Sequence, residues 1–253
     1  MLAVVILATG TGTTRGAIVG PDSFGYRATN DVPYAFADIR GTGTRTLAGQ
    51  DDLSITVPLG FSFNFYGRDF TQASFNPNGL ISFGGGANWF ANRPLATWTF
   101  GSGLAAICVL HDDWQFRQAG SDGAYYQTVG SPGSRQFIVQ WNMTYGVSSS
   151  PSGVTFEAVL FEGSNDVLLQ YADVDSGDSR RNGASATVGI KDNPSRGAGR
   201  YLQWSYNSPV ISDGEAIRFT THHTPEPASL IVWSLLAGLG GAHWWYRRRR
   251  RAG

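Results

Sequence analysis

The apolar residues of this chain follow a strand pattern rather than a helical one. Between residues 17 and 224, no apolar spacing of three and four residues lasts for three turns. Short alternating runs recur instead, such as residues 53–57 and 61–66, with Pro58 to Gly60 as a break between them. The chain has 33 glycines and only 15% charged residues, a composition that suits strands and turns. The sequence therefore predicts an all-β protein, an antiparallel β-sandwich in a single domain.

Turn signals join the predicted strands into hairpins. Phe75-Asn-Pro-Asn-Gly79 is a turn cluster before residues 80–83, and Gly79 suits a positive φ angle. Two hairpins of ordinary loop length are predicted, one joining residues 125–129 to 137–141 and the other joining 154–161 to 167–171. Further predicted strands are residues 104–110, 184–190, 201–206 and 216–220. Because no repeat or linker interrupts them, residues 17–221 are predicted to form one domain.

The period of two also assigns faces along the strand at residues 154–161. One face is predicted to carry Val154, Phe156, Ala158 and Leu160, and the other Thr155, Glu157 and Val159. Trp141 and Trp204 lie in predicted strands as well, and we expect them in the core.

The C-terminal segment has a character of its own. Residues 228–246 carry no charge, and 19 residues of helix would span about 28 Å, close to one hydrocarbon core. An aromatic triplet ends this segment, and five basic residues follow it: Arg247, Arg248, Arg249, Arg250 and Arg251. Since basic residues stay on the cytoplasmic side, we predict a transmembrane helix at 228–246, an external stalk at 222–227 and a cytoplasmic tail at 247–253. The alternative is a buried core helix with a basic end.

Pro225, Glu226 and Pro227, the apolar segment and the arginine run resemble, in this order, the PEP-CTERM sorting signal of Gram-negative bacteria. The resemblance covers only the C-terminal end of the chain. It implies export through the inner membrane, recognition by an exosortase-type membrane protease and removal of the tail near the Pro-Glu-Pro motif. The expected location is the cell envelope, the cell surface or the extracellular matrix, with membrane attachment before processing.

The N-terminal residues agree with export. Residues 1–16 begin with an apolar run that lacks a basic flank, and we interpret them as a truncated signal peptide, with an ordinary strand as the alternative. The predicted mature body keeps 13 of the 19 basic and 18 of the 19 acidic residues, so its net charge is about −5. This charge argues against a nucleic-acid partner, because phosphate binding needs a concentrated basic surface. The single cysteine, Cys108, allows no internal disulfide, and its apolar neighbours predict a buried position.

The body also resembles a known family, through motifs that follow one another in order. They are Pro58-Leu-Gly-Phe-Ser-Phe-Asn-Phe-Tyr-Gly67, Phe75-Asn-Pro-Asn-Gly-Leu-Ile-Ser-Phe83, His111-Asp-Asp-Trp114, Tyr125-Tyr-Gln-Thr-Val129 and Gly183-Ala-Ser-Ala-Thr-Val-Gly189. Over residues 53–220 they are similar to nidogen-type extracellular domains, in particular the bacterial surface versions. The resemblance implies an extracellular β-rich interaction module associated with matrix or cell adhesion. It carries over no catalytic residue.

Two carboxylates are candidate metal ligands. Asp112 and Asp113 directly follow an apolar strand and project into a loop, where adjacent carboxylates can supply oxygen ligands to Ca²⁺. The alternative is that they cap a turn. We interpret residues 173–178 as a solvated acidic loop, because their spacing misses that of an EF-hand. No other cofactor is predicted, since one cysteine and four histidines do not assemble a zinc shell of the usual spacing.

Aromatic residues give the remaining functional signal. Trp89, Phe90 and Trp98 lie in or after the Gly- and Asn-rich connection at residues 84–92, and they are candidate ligand-binding residues for a sugar or a protein. The alternative is that they fold back and cover one end of the sandwich.

Taken together, the residues and the two resemblances predict a non-enzymatic, exported protein that acts as an adhesive or structural component. Its predicted partners are the exosortase, the inner membrane before processing, and extracellular polysaccharide or matrix proteins. The alternative is a carbohydrate-binding or glycoside-hydrolysing module, because Glu157, Glu162 and many aspartates are available as a carboxylate pair.

Overall fold

The computed structural model describes residues 16–99, 103–147 and 150–221. The chain divides into two units after Thr221. The predicted signal peptide at residues 1–16, except for Gly16, lies outside the described residues, and so do the stalk, the Pro225 to Pro227 motif, the apolar span and the arginine run. Among the described residues there is no helix of the length and apolarity needed to cross a bilayer.

The described residues fold into fifteen β-strands and two short 3-10 turns, with no α-helix. The strands are β1 (Ile18–Val19), β2 (Arg27–Thr29), β3 (Thr44–Thr46), β4 (Ile55–Phe65), β5 (Arg68–Phe75), β6 (Leu80–Phe83), β7 (Ala105–His111), β8 (Trp114–Phe116), β9 (Gly123–Val129), β10 (Gln136–Gly146), β11 (Val154–Phe161), β12 (Val167–Asp173), β13 (Thr187–Lys191), β14 (Tyr201–Tyr206) and β15 (Glu215–Thr220). The 3-10 turns are Arg181–Gly183 and Pro194–Arg196. The prediction of an all-β chain is therefore confirmed for the described residues.

The strands form two antiparallel sheets. The larger sheet has nine described strands in the order β1-β2-β15-β12-β11-β10-β9-β3, with β8 paired to β10 beside this path. The smaller sheet has six, in the order β14-β13-β7-β6-β5-β4. One apolar cluster takes side chains from both, including Phe63 and Phe75 of the smaller sheet and Trp141 and Phe156 of the larger. The two sheets therefore pack face to face around a common core, as a sandwich does.

The hairpins predicted from turn signals are confirmed. β9 pairs with β10 and β11 pairs with β12, both antiparallel. The predicted turn at Phe75 to Gly79 is also present, and it joins β6 to β5 as a further antiparallel pair. The predicted faces of β11 are also present, since Phe156, Ala158 and Leu160 lie in the shared core while Val159 packs in a different cluster.

The predicted break at Pro58 to Gly60 is wrong, because one strand, β4, runs from Ile55 to Phe65. Buried side chains alternate with more exposed ones along the whole of β4. The pairing register with β5 shifts between Pro58 and Phe63. Proline is tolerated here because β4 is the edge of the smaller sheet, where a missing backbone N–H breaks no ladder. β5 was not predicted, because its first five residues, Arg68 to Gln72, include no fully buried side chain and show no clear alternation.

The outer face of each sheet is covered by a connecting segment. On the larger sheet, Ile39 packs on Tyr125, Ile138 and Val159. On the smaller sheet, Leu95 and Trp98 pack on Leu80, Ala106 and Cys108. Cys108 is fully buried, as expected, and burial raises the pKa of its thiol far above the ordinary value. Both sheets therefore bury apolar side chains on two faces.

Candidate functional site at the Asn78 end of the sandwich

The sequence-predicted residues Asp112, Asp113 and Trp98 meet at one end of the sandwich, around the turn between β5 and β6. Asn78, fully buried in this turn, accepts a hydrogen bond from the backbone N–H of Trp114 at 2.7 Å. Its Nδ2 donates to Asp52 Oδ1 at 2.9 Å, and its carbonyl oxygen lies 2.8 Å from His111 Nδ1. Asn78 thus holds the β7–β8 connection and the segment before β4 in one place.

Gly79 lets this turn lie against β7. Its φ angle is +70°, and a Cβ atom there would lie 2.7 Å from the carbonyl oxygen of Leu110. Both the backbone conformation and the close approach require glycine.

The acidic group at this end differs from the predicted pair. Asp113 lies with Asp51 and Asp52, and one carboxylate oxygen from each falls within 4.8 Å of the others. Burial, with the nearby carboxylates adding to it, raises the pKa of both Asp51 and Asp113 above the ordinary value. A cation at this point would relieve that repulsion. Three carboxylates would supply only part of the six to eight oxygens that Ca²⁺ takes, so solvent would have to provide the rest.

Asp112 does not belong to this carboxylate group, because its side chain contacts other residues. Its carboxylate accepts a hydrogen bond from Ser185 Oγ and lies 3.9 Å from the guanidinium of Arg180. It also accepts a hydrogen bond from the backbone N–H of Asp113 at 2.8 Å, and the residue is 6% exposed. Asp112 therefore has the turn-capping geometry, and it fastens the loop before β13 to the end of β7.

The three predicted ligand-binding aromatics are divided between core and surface. Trp98 is 2% exposed, and its ring stacks on that of His111 with 4.8 Å between centroids. Trp89 meets Trp98 edge to face at 6.5 Å and is 37% exposed, while Phe90 is 49% exposed. Trp98 thus packs against the sheet, and Trp89 and Phe90 remain available at the surface.

Burial keeps the His111 ring neutral, since it lowers the pKa of the imidazole to about 4. A neutral ring suits its stacked position between Trp98 and the Asn78 turn. His111 is therefore a packing residue in this structure rather than an exposed base.

Leu53 and the Trp89–Phe90 pair lie on two surface segments that a hydrogen bond joins. The backbone N–H of Ser54 donates to Asn88 Oδ1 at 3.1 Å, which ties the segment before β4 to the aromatic loop. Leu53 is 48% exposed. The sequence alone did not bring Asp51, Asp52 and Leu53 into the site, although an Asp-Asp pair next to an apolar residue was a visible signal. Their place depends on the long-range contact between Asp52 and Asn78.

A pocket lies between the segment at residues 96–99 and the β13–β14 connection, and Trp98 is the residue that it shares with the site described above. Its volume is about 220 Å³, and its walls include Trp98, Lys191, Asp192 and Tyr201. Lys191 is the single lysine of the chain, and its Nζ donates a hydrogen bond to the carbonyl oxygen of Leu95. The Nζ atom also lies 5.5 Å from the centre of the Tyr201 ring. Trp98 and Tyr201 are the two aromatic residues among its twelve lining residues, and Lys191, Asp192 and Arg200 are the three charged ones.

Calcium at Asp113 stays a prediction, and it has a direct test. If Ca²⁺ binds the Asp51, Asp52 and Asp113 group, millimolar Ca²⁺ should raise the melting temperature by about 3 °C, because the ion binds only the folded chain. Asp113→Asn should remove this rise, whereas Asp175→Asn, in the exposed acidic loop, should keep it. A wild-type melting curve that is the same in calcium and in chelator would contradict the prediction.

Comparison with known proteins identifies the family. No curated protein and no solved structure matches the chain. The family model described as NIDO related matches residues 25–234, from the turn before β2 to beyond the last described strand. Since this match covers well over half of the 253 residues, the chain belongs to the NIDO-related, or nidogen-related, family.

Proposed function

We propose that this protein is an exported bacterial surface or matrix component that works as an adhesive or structural module without catalysing a reaction. The observation that carries the proposal is membership of the NIDO-related family, which indicates an extracellular module of this kind. The two-sheet fold agrees with it, because covered outer faces give a rigid body that presents its loops at the ends.

The surface that would make contact is the loop end with Leu53, Trp89 and Phe90. These three apolar side chains are partly exposed, Leu53 directly follows Asp51 and Asp52 of the carboxylate group, and the Ser54–Asn88 hydrogen bond joins this segment to the aromatic loop. Aromatic residues dominate the binding energy of interfaces, and a polar rim around them gives specificity. This combination suits an adhesive contact with polysaccharide or with a matrix protein.

The C-terminal tail supports the proposed route to the surface. Pro225, Glu226 and Pro227, the apolar segment and the arginine run would direct export, and an exosortase-type protease would remove the segment near the motif. The membrane would then hold the protein only transiently.

Intact-mass measurement of protein recovered outside the cell tests this route. The mature protein is expected to lack Arg247 through Arg251. Replacing the Pro-Glu-Pro motif by Ala-Glu-Ala should leave the full tail in place and keep the protein in the membrane fraction. An intact C-terminus on the wild-type extracellular protein would contradict processing.

A carbohydrate-binding function is the second candidate, and the pocket beside Trp98 and Tyr201 favours it. Small-ligand sites are usually lined by apolar and aromatic side chains with a few polar groups, and this pocket places Trp98 and Tyr201 beside Lys191 and Asp192. The hydrolytic version has less support, because Glu157 is fully buried and Glu162 is ion-paired with Arg135 at 2.6 Å. Glycan-array binding combined with turnover assays separates the candidates: saturable binding supports the carbohydrate module, and released product would instead indicate an enzyme.

A further inference from the structure

Residues 34–39 cross the outer face of the larger sheet without joining it as a strand. They are held through alternate backbone N–H groups. Ala35 N donates to Gln170 Oε1 at 2.6 Å, Ala37 N to Glu157 Oε1 at 3.0 Å, and Ile39 N to Gln140 Oε1 at 2.8 Å. Because an extended chain presents every second N–H in the same direction, three acceptors in a row fit this segment.

The three acceptors stand side by side on three neighbouring strands. Gln140 of β10 is paired in register with Glu157 of β11, and Glu157 is paired with Gln170 of β12. All three are at most 1% exposed. The three side chains thus form a continuous polar row across this face of the sheet. The apolar residues beside the row are Ile138, Val159 and Leu168.

Glu157 is the unusual member of the row, because it can carry a charge where its neighbours are amides. Its Oε1 accepts from Ala37 N and also from Gln170 Nε2 at 2.6 Å, whereas its buried Oε2 has no hydrogen-bond partner among the described residues. An ionised, half-satisfied carboxylate in a buried place is costly, and a protonated one is much less so.

Among the residues that the structure describes, no cationic side chain is paired with Glu157. From the covering segment, Asp38 and Tyr34 face it, and Arg40 is paired with Asp38 at 2.5 Å. From β10 and β12 the facing side chains are the uncharged Gln140 and Gln170. Burial is the main cause that raises the pKa of Glu157, to about 7, and the negative charge of Asp38 adds to it.

We propose that residues 34–39 form a latch over the larger sheet, which the protonated carboxyl group of Glu157 holds closed and the ionised carboxylate loosens. Opening lets water reach Oε2 and uncovers the apolar patch of Ile138, Val159 and Leu168. The direction of the pH effect follows from the linkage between protonation of Glu157 and closure of the latch. Since the closed-state pKa lies above the ordinary value of 4.5, the stabilisation is complete below that value and is lost as pH rises through about 7.

Hydrogen exchange of the full protein, read by mass spectrometry, tests the latch. Amides of residues 34–39 are compared at pH 5.5 and pH 8.5, after correction for the chemical exchange rate at each pH. In the wild type, protection of this segment is expected to fall by a factor of about 30 between the two pH values, which follows from the pKa difference between closed and open states. The amides of β7 should not lose protection by this factor between the two pH values, because β7 packs in the core and not under residues 34–39.

Two variants with the same chemical change sharpen the test. Glu157→Gln keeps the acceptor and removes the charge, so residues 34–39 should stay equally protected at both pH values. Glu162→Gln, in the turn after β11 and away from residues 34–39, should keep the wild-type pH dependence of this segment. The proposal is overturned if wild-type protection is independent of pH, or if Glu157→Gln keeps the wild-type dependence. If Glu157→Gln fails to fold, the wild type decides alone: a pH effect of equal size in β7 would mean global destabilisation and no latch.

Discussion

Replacing Trp141 with alanine is expected to lower the free energy of unfolding by about 3–5 kcal/mol, a large part of the stability of a domain of this size. Trp141 of β10 is fully buried, stacks on Phe156 at 5.1 Å and meets Phe75 of the smaller sheet edge to face at 6.2 Å. Its Nε1 donates to the carbonyl oxygen of Asn76 at 2.7 Å. The side chain therefore joins the two sheets by packing and by a hydrogen bond.

Urea unfolding followed by tryptophan fluorescence and circular dichroism measures this change. Trp141→Phe separates the two contributions, because it keeps an aromatic ring and leaves the Asn76 carbonyl without its donor. We expect it to cost about 1–3 kcal/mol. Phe90→Ala, at the surface, is the control and should change stability by less than about 0.5 kcal/mol. If Trp141→Ala and Phe90→Ala shift the urea midpoint equally, the assignment of Trp141 as the link between the sheets is wrong.

The part of the fold that sequence could predict is the part with local signals. β9 through β12 combine a period of two with turn residues at hairpin spacing, so their existence, pairing and core face followed from the chain alone. Cys108 and Trp141 were expected to be buried on the same grounds, and both are. β4 was predicted as two strands because Pro58 and Gly60 normally end a strand, and only its edge position explains why they do not.

The site was less predictable because its members are distant in sequence. Asp113 was a candidate ligand, but its companions Asp51 and Asp52 are placed by the bond between Asp52 and Asn78. Asp112 separates from Asp113 because Ser185 and the backbone N–H of Asp113 hold its carboxylate. The latch at residues 34–39 gave no signal either, since its acceptors look like ordinary polar residues on three separate strands.

The double variant Trp89→Ser with Phe90→Ser is expected to reduce retention of the protein on extracellular matrix by about tenfold or more, because interface energy concentrates in a few aromatic anchors. Both side chains are partly exposed, so the fold should tolerate their loss. The measurement is the fraction of protein that sediments with washed matrix from the producing cells, with an unchanged melting temperature as the check on folding.

Val210→Ser is the matched control, since Val210 is 51% exposed and lies in the connection before β15, outside the aromatic loop. It should be retained like the wild type. Equal loss in both variants would point to a nonspecific apolar effect, and no loss in the double variant would remove Trp89 and Phe90 from the adhesive surface.

The proposed function is that this NIDO-related chain binds extracellular material without converting it. The most direct measurement is the distribution of the wild-type mature protein between matrix and medium, followed over time together with the release of soluble sugar or peptide. We predict stable, saturable retention with no product above that of a matrix sample without the protein. A protein that stays in the medium, or one that leaves the matrix as product accumulates, would contradict the account.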